Sequence, residues 1–283
     1  MIGLARSWLY VPAHRPELLA KAMAGPADAV VYDLEDAVPA DAKVTARRNA
    51  VAAVGAPQPK PLWVRINPLD TPHGRADVDA LAGGGVPGVR VPKCDDPAAA
   101  ARMADRLGVP LHLLVESAAG VENAFALASC HPLVAAVSLG EADLLADLRA
   151  RTRTALDWAR QRVVVANRAA GLPSPPHAVW TDLSDVDGLI ADTERARDHG
   201  LFGRSLVHPG QIDPVHRVFT PDRDELAAAR ALLDSLRDHT ANGVAAWVDE
   251  RGRFVDPAVV AGAQWLVERA SAIEEAIERR TAR

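Results

Sequence analysis

The chain has 283 residues, of which 49% are hydrophobic and 24% charged, with a formal net charge of −5. That composition excludes disordered, collagen-like and coiled-coil classes. The absence of a basic block excludes nucleic acid as a partner, and no apolar run reaches the roughly 18 residues that a membrane span requires.

The first residues, Met1-Ile2-Gly3-Leu4-Ala5-Arg6, lead directly into a strand pattern, so no signal peptide is expected and a cytoplasmic protein is. Strands are predicted over residues 7–13, 29–37, 62–68, 88–94, 111–117, 134–140, 177–182 and 205–209. Most are near-continuous apolar runs, the pattern of parallel strands buried on both faces. Helical patterns fill the intervals at 17–24, 41–54, 76–82, 97–107, 121–128, 142–170 and 185–199. Eight strand–helix repeats predict an α/β protein built as a (β/α)8 TIM barrel over residues 1–219. A doubly wound open sheet is disfavoured, because the turn Pro12-Ala13-His14-Arg15-Pro16 lacks the glycines of a phosphate-binding turn.

Residues 220–283 exceed the barrel. Pro221-Asp222 starts a helix expected to run to about residue 237. Two short runs across 244–255, on either side of Asp249-Glu250-Arg251-Gly252, read as a hairpin, and Pro257 opens a final amphipathic helix. This helix–hairpin–helix segment is too small for a core of its own. It is expected to act as a lid arm packed on a neighbouring subunit. Cys94 and Cys130 match no zinc spacing and read as reduced thiols.

In a barrel the chemistry gathers at the C-terminal ends of the strands. Those ends carry Asp33, Glu35 and Asp36, then Arg65 and Asn67, then Lys93, Glu116, Glu141 with Asp143, Asp182 and His208. Such a ring of charge points to a cation and an anionic ligand, since buried charges need partners. Glu116 and Asp143 lie on consecutive strand ends and form a candidate Mg2+ pair, with water and ligand oxygens completing an octahedron. Arg65 is a candidate carboxylate clamp through its bidentate fork, and it is equally suited to pair with Glu35 or Asp36. Lys93 either holds an anion or neutralises a neighbour, and Asp33 reads as structural.

The segments Arg6-Ser7-Trp8-Leu9-Tyr10-Val11-Pro12, Asp33-Leu34-Glu35-Asp36-Ala37-Val38, Val64-Arg65-Ile66-Asn67, Pro92-Lys93, Glu116-Ser117, Leu139-Gly140-Glu141-Ala142-Asp143-Leu144 and His208-Pro209-Gly210-Gln211-Ile212 occur in one order along the chain. Together with Gly252-Arg253-Phe254-Val255-Asp256-Pro257, this series resembles the citrate lyase beta-subunit and malyl-CoA lyase family, the HpcH/HpaI aldolase/citrate lyase group of the pyruvate/phosphoenolpyruvate barrels.

The resemblance implies a Mg2+-dependent carbon–carbon lyase acting on a β-hydroxyacyl-CoA. Glu116 and Asp143 would hold Mg2+. Arg65 would clamp the carboxylate of a 2-oxo acid, ordered by Glu35 and Asp36. Arg6 and Lys93 would lie near the pantetheine or phosphates of the acyl-CoA. Asp256 would act as acid or base in a neighbouring subunit of a homotrimer or hexamer. The chain departs from the family pattern at Ala13, His177 and Arg204-Ser205, the last two near the expected acyl pocket. A CoA-independent 2-oxo-acid aldolase and a beta subunit dependent on an acyl carrier are the alternatives.

Overall fold

A computed structural model describes residues 2–241, 246–249 and 252–281. Met1 and the hairpin positions Val244, Ala245, Glu250 and Arg251 lie outside the described residues. The chain divides into two compact units, Met1–Phe219 and Thr220–Arg283.

The first unit alternates strands and helices. In order these are β1 (Ser7–Pro12), α1 (Pro16–Ala24), β2 (Ala29–Asp33), α2 (Lys43–Val54), β3 (Leu62–Arg65), α3 (Pro72–Leu81), β4 (Val89–Val91), α4 (Pro97–Leu107) and β5 (Leu111–Val115). Then follow α5 (Ala118–Glu122), α6 (Ala124–Ser129), β6 (Val134–Leu139), α7 (Glu141–Asp147), α8 (Asp157–Ala169), α9 (Val186–Asp198), β7 (Arg204–Leu206) and α10 (Ile212–Phe219). The seven strands form one curled sheet in the order β6-β5-β4-β3-β2-β1-β7, all neighbours parallel. Every residue of β2 and β5 is buried, as expected for strands covered on both faces. Because the strands run the same way, their C-terminal ends share one edge, and that edge carries the candidate site.

Local chemistry sets the helix starts. Thr71 accepts a hydrogen bond from the Gly74 amide at 3.0 Å and Pro72 occupies the first turn of α3. Asp96 does the same for α4 through the Ala98 amide at 2.8 Å. Beneath the strand ends, Trp8, Trp63 and His112 pack edge to face with ring centroids 5.7 to 6.5 Å apart. Gly88 is required there, since a Cβ on it would lie 2.5 Å from the Trp63 ring.

Two expectations are corrected. Residues 177–182 form no strand: His177 makes a single bridge to Arg204, and the chain then leaves the sheet. Pro175 and Pro176 just before it offer no N–H to a ladder. The one long helix expected over 142–170 is broken into α7, a 3-10 turn at Arg153–Leu156 and α8. The break follows Arg149, whose φ of 55° is left-handed and cannot continue a helix.

The second unit contains α11 (Arg223–Ala241), the antiparallel strands β8 (Trp247–Val248) and β9 (Phe254–Val255), and α12 (Pro257–Thr281). Trp247, Val255 and Val260 form a small core with Leu232, Leu233 and Leu236 of α11 packed against them, so the expectation that this segment has no core of its own is corrected.

Candidate active site

β2 and β3 are neighbours in register, with Asp33 paired to Arg65 at their ends. The Asp33 carboxylate accepts from Arg65 Nε at 2.6 Å and from Nη2 at 2.7 Å, a bidentate fork. The same carboxylate accepts from the Glu35 and Ala37 amides at 3.0 Å each, so it also shapes the turn that presents Glu35 and Asp36. Arg65 Nη1 lies 2.8 Å from Glu35 and 3.2 Å from Asp36. Arg65 thus pairs with both residues named from the sequence and, more tightly, with Asp33. Its guanidinium also stacks on the Tyr10 ring at 4.7 Å. Burial pushes the Glu35 carboxyl up to about 8 against the opposing charge of Arg65.

The second half of the site comes from β4, β5 and the start of α7. Lys93 follows β4 in a left-handed backbone conformation, φ 54°, a strained geometry for a lysine. Its Nζ lies 3.2 Å from Glu116 Oε2 and 3.1 Å from Asp143 Oδ1. Glu116 is buried and its carboxyl is raised by burial, with Lys93 opposing. A Cβ on Gly140 would lie 2.5 Å from both Cγ and Oε1 of Glu116, so glycine there leaves room for the carboxylate.

This donor set fits a hard divalent cation. Glu116 and Asp143 converge on one positive point, and their oxygens suit Mg2+, which takes few protein ligands and keeps waters. Glu35 nearby is buried, and its Oε2 already faces Arg65 Nη1 at 2.8 Å. Among the described residues no group of three or more His, Cys, Asp or Glu is placed to hold a metal ion.

A buried ionic network beside this edge escaped the sequence reading. Glu141 accepts from Arg160 at 2.7 and 2.8 Å and from Arg153 at 2.7 Å. Asp192 accepts from Arg204 at 2.7 Å and pairs with His177 at 3.0 Å. Burial, reinforced by the Arg204 charge, lowers His177 to about 4. Glu141 was visible as a strand-end charge, but its partners lie on three separate elements, and no local spacing signals them.

Other expected site residues have partners of their own. Arg6 is buried at the start of β1, at the opposite end of the strand from the cluster, and its guanidinium is paired with Asp28 at 2.9 and 3.0 Å. Asp182 and His208 cap turns through Ser184 and Gly210. Asn67 donates to Asp77 at 2.6 Å. Asp256 belongs to the second unit, where its carboxylate accepts from the Ala258 and Val259 amides at 3.0 Å at the start of α12. Cys94 is buried, and burial pushes its thiol up, which leaves it inert.

A cavity of about 340 Å³ is lined by Tyr10, Arg65, Glu116, Asp143, His177 and Ser205, among others. A second cavity, about 660 Å³, is lined by Lys93 and shares Glu116 and Asp143 with the first. The carboxylate pair therefore stands between two spaces, one of them bounded by Arg65. The family model for HpcH/HpaI aldolase/citrate lyase matches residues 6–209, which contain this edge. The chain belongs to the HpcH/HpaI aldolase/citrate lyase family. By that membership it is an enzyme of the lyase class.

Among members of this family, the chain is 33% identical over 275 residues to a (3S)-malyl-CoA thioesterase of Cereibacter sphaeroides, covering 95% of each chain. It is 32% identical over 304 residues to an L-malyl-CoA/beta-methylmalyl-CoA lyase of the same species, again covering 95% of each. A crystal structure of CitE from Mycobacterium tuberculosis in complex with magnesium, acetoacetate and coenzyme A superposes with a TM-score of 0.82 at 30% identity. It covers 96% of this chain and 100% of that one.

Proposed function

We propose that the protein is a Mg2+-dependent carbon–carbon lyase that cleaves, or in reverse condenses, a β-hydroxyacyl-CoA such as malyl-CoA or citramalyl-CoA. The products are an acyl-CoA and a 2-oxo acid. One observation carries this reading: Arg65, Glu116 and Asp143 line the same cavity, so a carboxylate clamp and a cation pair face one ligand.

In this reading Glu116 and Asp143 hold Mg2+. When bound, the ion supplies Lewis-acid polarisation of the ligand oxygen that becomes the ketone. Arg65 holds the ligand carboxylate and orients the bond to be broken. Asp33, Glu35 and Asp36 fix the guanidinium, and Lys93 balances the carboxylate pair. Cleavage takes the proton from the β-hydroxyl as its oxygen becomes the carbonyl and returns one to the α-carbon of the thioester enolate, so no net proton is consumed, and Asp256 of a neighbouring subunit is the acid or base for this transfer. The proposal includes closure of the sheet as a (β/α)8 barrel, residues 220–283 as a lid arm, a homotrimer or hexamer, and a cytoplasmic setting. No helix among the described residues is long and apolar enough to cross a membrane.

A second reading is hydrolysis of the thioester itself, favoured by the relative named a malyl-CoA thioesterase. One assay separates the two. Purified protein with Mg2+ is given malyl-, citramalyl- and hydroxymethylglutaryl-CoA, while glyoxylate, pyruvate or acetoacetate is followed alongside free thiol. Release of a 2-oxo acid, or of acetoacetate from the last substrate, without free thiol supports the lyase. Free thiol without cleavage supports hydrolysis. Turnover that survives exhaustive EDTA treatment refutes the metal assignment.

A further inference from the structure

Arg90, at the centre of β4, is fully buried. Among the described residues no carboxylate lies within ion-pair distance of it, and its Nε and Nη2 make no hydrogen bond. A buried cation without a counter-charge is costly and calls for an explanation. Arg90 sits over the Trp8 ring at 4.8 Å and the Tyr10 ring at 5.5 Å. Its Nη1 donates to Tyr10 Oη at 3.0 Å and to Ser205 Oγ at 2.9 Å.

Both hydroxyls therefore accept from the same guanidinium nitrogen, and neither donates to another group among the described residues. Both residues line the 340 Å³ cavity that Arg65, Glu116 and Asp143 share. An O–H whose oxygen accepts from a cation is polarised into a stronger donor. Two such protons and one unmatched positive charge beside a cavity are satisfied together by one kind of occupant, an anionic oxygen.

We propose that Arg90, Tyr10 and Ser205 form a donor relay in which the Tyr10 and Ser205 hydroxyls bind an oxyanion of the substrate and Arg90 orients and charges them. The proposal rests on the lyase reading for the identity of the substrate. Tyr10 and Ser205 touch the ligand, while Arg90 is a positioning residue acting through them. The relay is distinct from the Arg65 clamp, whose charge is already matched by Asp33, Glu35 and Asp36.

Oxalate, a planar dianion that carries the adjacent carboxylate and oxygen of a 2-oxo acid, is the probe, titrated calorimetrically into the full chain with Mg2+ present. Tyr10→Phe and Ser205→Ala are each expected to weaken oxalate binding about tenfold, the scale of a lost hydrogen bond to a charged group. The double variant should lose more, with Mg2+ affinity unchanged. Arg90→Met should weaken oxalate at least as much as either single variant, and Arg90→Lys should recover most of the loss. If Arg90→Met does not fold, the hydroxyl variants decide the matter. Oxalate binding by the double variant within about twofold of wild type overturns the relay, as does absence of oxalate binding by wild type. Wild type that binds oxalate and loses it in the variants, yet cleaves no acyl-CoA, sinks the lyase reading and leaves the relay standing.

Discussion

Gly140 lies directly behind Glu116: a single methyl added at its α-carbon would stand 2.5 Å from the carboxylate oxygen Oε1. The Gly140 amide is itself tied to Val115 O at 2.9 Å, so the backbone cannot retreat without breaking the β5–β6 junction. Gly140→Ala must therefore displace the Glu116 side chain. The expected result is a tenfold to hundredfold loss of Mg2+ affinity, roughly the scale for disturbing the support of a metal ligand. Calorimetric titration with Mg2+, beside a thermal melt, checks it. Unchanged affinity would show that Glu116 is not a ligand.

Arg65→Lys keeps the positive charge but loses the fork that grips Asp33 through Nε and Nη2. The variant is expected to raise KM for the 2-oxo acid in the condensation direction at least about tenfold. It should also destabilise the fold by about 1–3 kcal/mol, because Asp33 is fully buried and loses donors. Steady-state kinetics and urea melts report the two effects separately.

His177 is buried and neutral, with its proton affinity lowered to about 4 by burial and by Arg204. In the unfolded chain the imidazole titrates near its ordinary 6.5. Between those values the unfolded state binds the extra proton, so folding stability falls as pH falls from about 6.5 toward 4. Above 6.5 this contribution is constant. The loss is on the order of 3 kcal/mol when complete. Urea melts at several pH values check it, and His177→Gln should remove this component of the pH dependence.

Asp256→Ala removes a carboxylate that caps α12 through two amides, so a loss of about 1 kcal/mol in stability is expected. If Asp256 also serves as acid or base, turnover falls at least about a hundredfold while Mg2+ affinity is kept. Turnover near the wild-type rate in a folded variant would reduce Asp256 to a helix cap.

Legibility differed from element to element. The strands from β1 to β6 were readable because both faces are buried, which writes them as unbroken apolar runs in the chain. Glu116, Asp143 and Arg65 were readable for the complementary reason: a charge that ends such a run is conspicuous. The expected strand at 177–182 was misread because its apolar residues line a cavity wall instead of a ladder. The break at Arg149 was missed because nothing in its side chain announces a left-handed backbone.

By itself the sequence determined the parallel α/β architecture and named charged residues at the strand ends, since burial period and strand-end charge are local properties. Only the tertiary structure decided which of those charges meet. It sent Arg6 to Asp28 at the far end of β1, joined Arg65 to Asp33, and aimed Lys93 between Glu116 and Asp143. It also gathered Glu141, Arg160, His177, Asp192 and Arg204 into one buried network, and set Arg90 beneath Tyr10 and Ser205. Pairings of that kind depend on strand register and on distances across the sheet, which no spacing along the chain encodes.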